Sequence, residues 1–234
     1  MGGFSRGRAL SNKPYISYNT PMIVTYLGNE TFRIQVGDLV LACNPPAKSS
    51  DFKMNKFGAN VVLQTIKHPD MGGGKEFSYG EKEPFVISGP GEYESNGLFI
   101  KGVAGESKYD LPKGVEKCIN TIYSTTVDGI NILYLGAQSG TLPAGLSDIV
   151  DSVDMLFIPI GGNGTYDAKE AAKIVLNLEP KIVIPMGYSS VKDANLAAFL
   201  KEAGSKGETV DKLTIKKKDL EGKDQDVVVL APQV

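Results

Sequence analysis

The sequence predicts an α/β protein with sheets inside and helices outside. Three observations carry that reading. The first half is a run of short β-rich segments joined by turn dipeptides, among them Gly37-Asp38, Asn96-Gly97 and Asp128-Gly129. The second half alternates wholly apolar segments, 154–160 and 181–186, with amphipathic ones, 167–178 and 192–203. After residue 22 no stretch has the length or composition of a linker, so 22–234 reads as one layered domain.

Residues 1–21 read as a separate tail. Arg6, Arg8 and Lys13 are its only charges, and the first acidic residue of the chain is Glu30. Its apolar residues lack periodicity, so it is expected to be flexible, or to act as an assembly arm anchored by Tyr15, Ile16 and Tyr18. Residues 22–27, 31–36 and 39–43 then form a meander of strands. Short apolar strands follow at 60–64 and 85–88. Hairpins join 92–94 to 98–103 and 118–127 to 130–135, each through a dipeptide that tolerates positive φ. Residues 154–160 form a buried strand, and 161–165 a glycine-rich turn. Asp167 with Glu170 reads as a capping box that opens a helix to about residue 178. A buried strand at 181–186 precedes a second helix, 192–203, stopped by Gly204. Strands 213–217 and 226–230 are expected to close the chain as a pair.

Composition excludes several classes. The 25 basic and 27 acidic residues of the 234 leave a net charge of -2, which offers no field for nucleic acid or an acidic membrane. No apolar run approaches the ~18 residues that span a bilayer. The first residues lack a hydrophobic signal core. Cys43 and Cys118 form no C-x-x-C pair and read as buried small hydrophobes. A cytoplasmic protein is expected, its core large enough to need no disulfide.

Several segments together resemble the metallo-β-lactamase fold hydrolases, most closely the L-ascorbate-6-phosphate lactonase-like branch. Residues 26–34, Tyr-Leu-Gly-Asn-Glu-Thr-Phe-Arg-Ile, are similar to that branch's Trp-Leu-Gly-His-Ser-Cys-Phe-Arg-Ile. Cys43-Asn44-Pro45 stands where the family has Asp-Pro. Gly89-Pro90-Gly91-Glu92-Tyr93-Glu94 matches a segment typical of the branch. Residues 132–136 resemble the strand ending in Gly-Asp. Residues 154–162 match Asp-x-Leu-x-Ile-Pro-x-Gly-Gly, and 179–188 match Glu-Pro-x-x-x-Ile-Pro-Met-His-Tyr. The match runs from residue 22 almost to the end, and its order and spacing carry it. The resemblance implies a four-layer αβ/βα sandwich with two metal ions, usually zinc, that activate a water for hydrolysis.

The ligand positions that the resemblance implies are mostly substituted. The loop has Ile66, His68, Asp70 and Met71 where the family has His, His, Asp and His. Ala137 replaces the bridging Asp, and Gly187 replaces the last His. His68, the chain's one histidine, and Asp70 remain, and in the family they serve different metals. A structural zinc site is worth roughly 10–16 kcal/mol, or about 3 kcal/mol per ligand. Two lost ligands then weaken affinity about 10⁴-fold. The expectation is no metal, no cofactor and no catalytic residue. His68 is expected to bond Asp70 or a nearby carbonyl, and Asp70 to cap a turn.

Other residues offer less. Glu92, Glu94, Glu106 and Asp110 could supply a relocated site for a hard cation, but their spacing matches no ligand pattern. The turn 161–165 could present N–H groups to an anion but lacks a phosphate loop's Lys-Ser/Thr. Gly72-Gly73-Gly74 reads as a connector, and Lys216-Lys217-Lys218 as a solvated turn. Ser88, Ser139, Ser189 and Ser190 offer hydroxyls, with no motif joining them to His68. The sequence thus leads to a catalytically inactive protein of this fold, kept for binding or self-assembly. A homo-oligomer is expected, with room for a small molecule in the former cleft. The alternative is a divergent hydrolase of a small ester, lactone or phosphorylated sugar, built on His68, Asp70 and carboxylates from elsewhere.

Overall fold

The computed structural model describes residues 20–233. The assembly-arm anchors Tyr15, Ile16 and Tyr18 lie outside them. Two mixed sheets pack face to face. The first has β1 (Met22–Tyr26), β2 (Phe32–Val36), β3 (Leu39–Cys43), β4 (Val61–Leu63) and β5 (Phe85–Ile87). A strand from the chain's end, β13 (Leu213–Ile215), completes it in the order β13-β1-β2-β3-β4-β5. The second contains β6 (Gly91–Ser95), β7 (Leu98–Ser107), β8 (Cys118–Val127), β9 (Ile130–Tyr134), β10 (Met155–Pro159), β11 (Ile182–Met186), β12 (Glu208–Val210) and β14 (Asp226–Leu230), in the order β12-β14-β11-β10-β9-β8-β7-β6.

The turn dipeptides act as expected. Asn96, Asp128 and the glycine after each adopt positive φ, which matches the twist of β6–β7 and β8–β9. β9, β10, β11 and β14 run parallel. Such strands need crossovers, and two helices supply them. Helix α1 (Ala168–Leu178) opens on the Asp167–Glu170 capping box, with both reciprocal bonds present. Helix α2 (Ala194–Glu202) is capped by Asp193 rather than started by Lys192. Ala171, Ala172, Val175, Leu196 and Phe199 turn into the main core. α1 and α2 are each too short to cross a membrane, and no helix among the described residues is long and apolar enough to do so.

Alternation in β3 and β4 splits their side chains between two cores. Leu41, Cys43, Val61 and Leu63 join the main core between the sheets. Ala42 and Val62 point the other way, into a satellite cluster with Ala59 and Phe77 from the flanking loops. The α/β sandwich expected from the sequence is therefore present, with α1 and α2 flanking the second sheet.

One topological expectation is corrected. The last two strands do not pair with each other. β13 pairs antiparallel with β1, while β14 lies between β11 and β12. The reason is burial: Val227–Leu230 are all buried and suit an interior strand, whereas the short β13 has one fully buried residue and suits an edge. Strand β12, three residues with two exposed, carries too little pattern to be read from sequence.

Candidate active site

The C-terminal ends of β3, β4, β9, β10 and β11 gather at one end of the sandwich, and the substituted ligand positions fall on the loops that leave them. This convergence follows from the parallel pairing of β3 with β4 and of β9, β10 and β11. Ile66, Met71 and Ala137 meet there in one buried apolar cluster, with Tyr109 and Cys118 packed against it. Side chains thus fill the centre of the former cleft. Gly136 before Ala137 has φ +57°, and a Cβ on it would lie 2.4 Å from the Thr65 side chain. Gly187 closes the far side: its N–H donates to the Asn29 carbonyl at 2.7 Å and approaches the Tyr26 hydroxyl.

Asn44 fastens the floor. Its amide nitrogen donates to Thr65 Oγ1 and faces Met71 Sδ at 3.3 Å, and its Oδ1 accepts from the Thr65 N–H. Beside it lies Glu30, 1% exposed, whose Oε2 has no partner. Burial pushes the Glu30 carboxyl up to about 8, opposed only by a hydrogen bond from Asn44. Sequence reasoning passed over Glu30, although an acid inside a strand-turn-strand core segment was a visible signal.

The polar groups sit at the rim. His68 is the N-cap of a 3-10 turn, Pro69–Met71: its Nδ1 accepts from the Asp70 N–H at 3.2 Å. The capping role thus belongs to His68, not Asp70. With Nδ1 accepting, the neutral ring carries its proton on Nε2, an assignment inferred from the network. Nε2 faces Asp110 Oδ2 at 3.1 Å. Asp70 is held from both sides: Ser50 Oγ donates to Oδ1 at 2.5 Å, and the Tyr109 hydroxyl donates to Oδ2 at 3.0 Å. The Tyr109 ring stands edge-on to His68 at 5.2 Å. Burial, then the Asp70 carboxylate, push the Tyr109 phenol well above its usual value. Asp110 is 70% exposed and has φ +41°, a left-handed conformation unusual for a non-glycine residue.

The other candidates disperse. Glu92 and Glu94 are exposed on β6. Glu106 pairs with Lys117 at 2.9 Å. Of the four acids proposed for a relocated site, only Asp110 joins His68. Ser139 lies against Glu106, and Ser189 and Ser190 serve the turn before α2. Ser88 has no bond to His68 among the described residues. Ser50, which does reach the cluster, was not among the serines singled out. The turn 161–165 spends its N–H groups internally, Gly162 on Tyr166 and Thr165 on Gly162. Gly73 is packed rather than loose, donating to the Pro45 carbonyl. Lys217 is exposed, as a solvated turn requires, and it also pairs with buried Asp154.

A pair of metals does not fit these donors. Asp70 and Asp110 face opposite nitrogens of the His68 ring, so the three cannot converge on one ion, and both Asp70 oxygens are already occupied. Among the described residues no group of three or more His, Cys, Asp or Glu could hold one.

Comparison with known proteins places this geometry. The model of the Beta-lactamase superfamily domain matches residues 23–187. A metal-dependent hydrolase of the UPF0173 group from Lysinibacillus sphaericus is 25% identical over 199 residues, 72% of this chain and 86% of that protein. A UPF0173 protein from Pyrococcus furiosus is 39% identical over 56 residues, and that match spans only 27% of its length. The crystal structure of a Thermotoga maritima protein, named as a Zn-dependent hydrolase of the metallo-β-lactamase superfamily, superimposes with a TM-score of 0.69. It is 26% identical, and the match covers 89% of this chain and 98% of that one.

Two expectations are corrected by these relatives. The inactive protein kept for binding or self-assembly gives way to the hydrolase alternative, because the relatives are named metal-dependent hydrolases. The absence of a cofactor is overturned on the same ground, since those names point to a metal. The physical reason is that lost ligands speak to one inherited metal pair. They say nothing of the rim, where His68, Asp70, Tyr109 and Asp110 remain joined. With its paired sheets, its loop-lined cleft and a family model matched over most of its length, the chain belongs to the metallo-β-lactamase superfamily.

Proposed function

We propose that this chain is a divergent hydrolase of a small ester, lactone or phosphorylated sugar, with its chemistry at the rim of the cleft. One observation carries the reading: His68 holds Asp110 on one side and the Asp70–Tyr109 pair on the other. Asp110 is the general base. Its carboxylate is exposed, and the His68 N–H orients it toward a water that attacks the substrate's carbonyl or phosphoryl centre. His68 takes the positioning role that a carboxylate takes in a serine hydrolase, with the two groups exchanged. Asp70, fixed by Ser50 and Tyr109, holds the turn that carries His68, and Asp110 passes the proton it takes from water to the leaving oxygen of the substrate. The relatives' metal dependence supports the reaction class.

The test is a hydrolysis screen with aryl esters, lactones and sugar phosphates, run with and without added zinc or manganese, alongside elemental analysis. Turnover is expected, with kcat/KM falling about 100-fold in Asp110→Asn and in His68→Ala. No turnover of any substrate under either condition would sink the proposal, and so would full activity in both variants.

A further inference from the structure

On β2, Phe32, Ile34 and Val36 face the main core, so Arg33 and Gln35 face the other side of the first sheet. There the loops around Phe57 and Tyr79 leave a groove of about 880 Å³, lined by Arg33, Gln35, Val40, Phe57, Tyr79 and Phe85 among others. Its volume lies in the range of small-molecule sites. None of the cleft residues lines it.

Arg33 is the group out of balance in this groove. Its guanidinium lies 5.6 Å from the centre of the Phe57 ring, and Phe57 is itself held edge-on by Phe77 at 5.4 Å. The cation is thus positioned in advance. Yet its Nε is buried and has no acceptor, and Arg33 enters no ion pair among the described residues. Nε is closed to solvent and equally to a ligand, so an incoming anion would meet the terminal guanidinium nitrogens at the groove wall. The two acids that line the groove do not neutralise it: Glu83 is paired with Lys75, and Asp38 forms no ion pair with Arg33. A cation with no counter-ion, presenting its planar fork of N–H groups at a groove wall, is matched by a two-oxygen anion. Around it stand aromatic rings that the core does not use: Tyr79 is 76% exposed and Phe85 45%. Exposed rings around a concave site suit a flat apolar ligand.

We infer that this groove is a second binding site, taking a small oxyanion carried on an aromatic ring, with Arg33 gripping the anion and the rings of Tyr79 and Phe85 receiving the aromatic part. The shared chemistry is a carboxylate or phosphate attached to an aryl group, and the two are separated by the test. The site is independent of the hydrolase reading.

Calorimetric titration of the full chain with phenyl phosphate, benzoate, inorganic phosphate and phenol reads the site out. At least one aromatic anion is expected to bind more tightly than inorganic phosphate or phenol, and whichever binds names the oxyanion. That affinity falls at least about tenfold, or about 1.4 kcal/mol, in Arg33→Gln. It is unchanged in His68→Ala, which separates this groove from the cleft. Arg33→Lys keeps the charge but loses the fork, so it binds at an intermediate level, and it serves if Arg33→Gln fails to fold. Absence of binding by both aromatic anions overturns the inference. So does binding that survives both Arg33 variants unchanged, or that disappears with His68 instead.

Discussion

Two carboxyl groups are buried at opposite ends of the sandwich, and they are treated in opposite ways. Asp154 lies at the N-terminal end of β10, 2% exposed. It accepts from the Asn131 N–H at 2.8 Å and from Lys181 and Lys217 at 2.8 and 2.5 Å. Burial alone would raise it, but those donors prevail and hold it below the usual carboxylate value. Glu30 lies at the cleft end, equally buried, with Asn44 donating to it and no cation facing it among the described residues. Tyr26, Tyr109 and Tyr134 lie near enough to feel its charge, and none of them is positive. The difference teaches that partners, not depth, set the cost of a buried carboxyl. Both oxygens of Asp154 are satisfied, although Asp128 Oδ1 at the same end is buried without a partner. The end that gathers the loops keeps an unpaired acid, Glu30, while left-handed residues occur at both ends, Asn29, Asn44 and Asp110 at this one and Asp128, Glu179 and Gln225 at the other.

Three substitutions would break or sharpen that contrast. The largest effect is expected from Ala137→Asp, which restores the family's acid among Ile66 and Met71. A third buried carboxyl, with no cation prepared for it, should cost on the order of 4 kcal/mol or enter the core protonated. Urea unfolding at neutral pH measures the loss, and an unchanged midpoint would show that the cleft opens to water or an ion. Next is Asp154→Asn, which removes the charge facing Lys181 and Lys217 and turns one of its two acceptor oxygens into a donor. About 3 kcal/mol is expected at neutral pH. A loss below about 1 kcal/mol would mean that the lysines are adequately solvated and the contrast is overstated.

The smallest effect is a gain. Glu30 binds its proton more tightly in the folded than in the unfolded chain, so its contribution is complete below the unfolded value near 4.5 and is lost as pH rises toward about 8. Across that window this one group lowers stability by up to about 1.4 kcal/mol per pH unit. Glu30→Gln keeps the shape and removes the titration. It should match the parent near pH 4.5 and exceed it by about 2 kcal/mol at pH 6. Parallel stability curves for the two proteins would show that Glu30 finds a partner or water.

Much of the architecture was legible because its signals are local. The turn dipeptides, the Asp167–Glu170 box and the wholly apolar runs each state a backbone preference within a few residues. The substituted ligand positions could also be located by order and spacing, and the structure gathers Ile66, Met71 and Ala137 into one cluster. What could not be read is pairing across long separations. His68 and Asp110 are 42 residues apart, Asp70 and Tyr109 39, and Ser50 and Asp70 20. No periodicity links them. The partners of β13 and β14 were misread for the same reason: two strands adjacent in sequence were assigned to each other, while burial sent them to different sheets.

By itself, then, the sequence determined which segments are strands and helices and which side of each faces inward, because those follow from periodicity and turn chemistry along the chain. Tertiary structure alone decided that Asp154 meets two lysines while Glu30 meets none, that Arg33 overlooks an open groove, and that Asp110 reaches His68. Each of these depends on which distant segments share a few ångströms, and electrostatic and hydrogen-bond energies change over that distance.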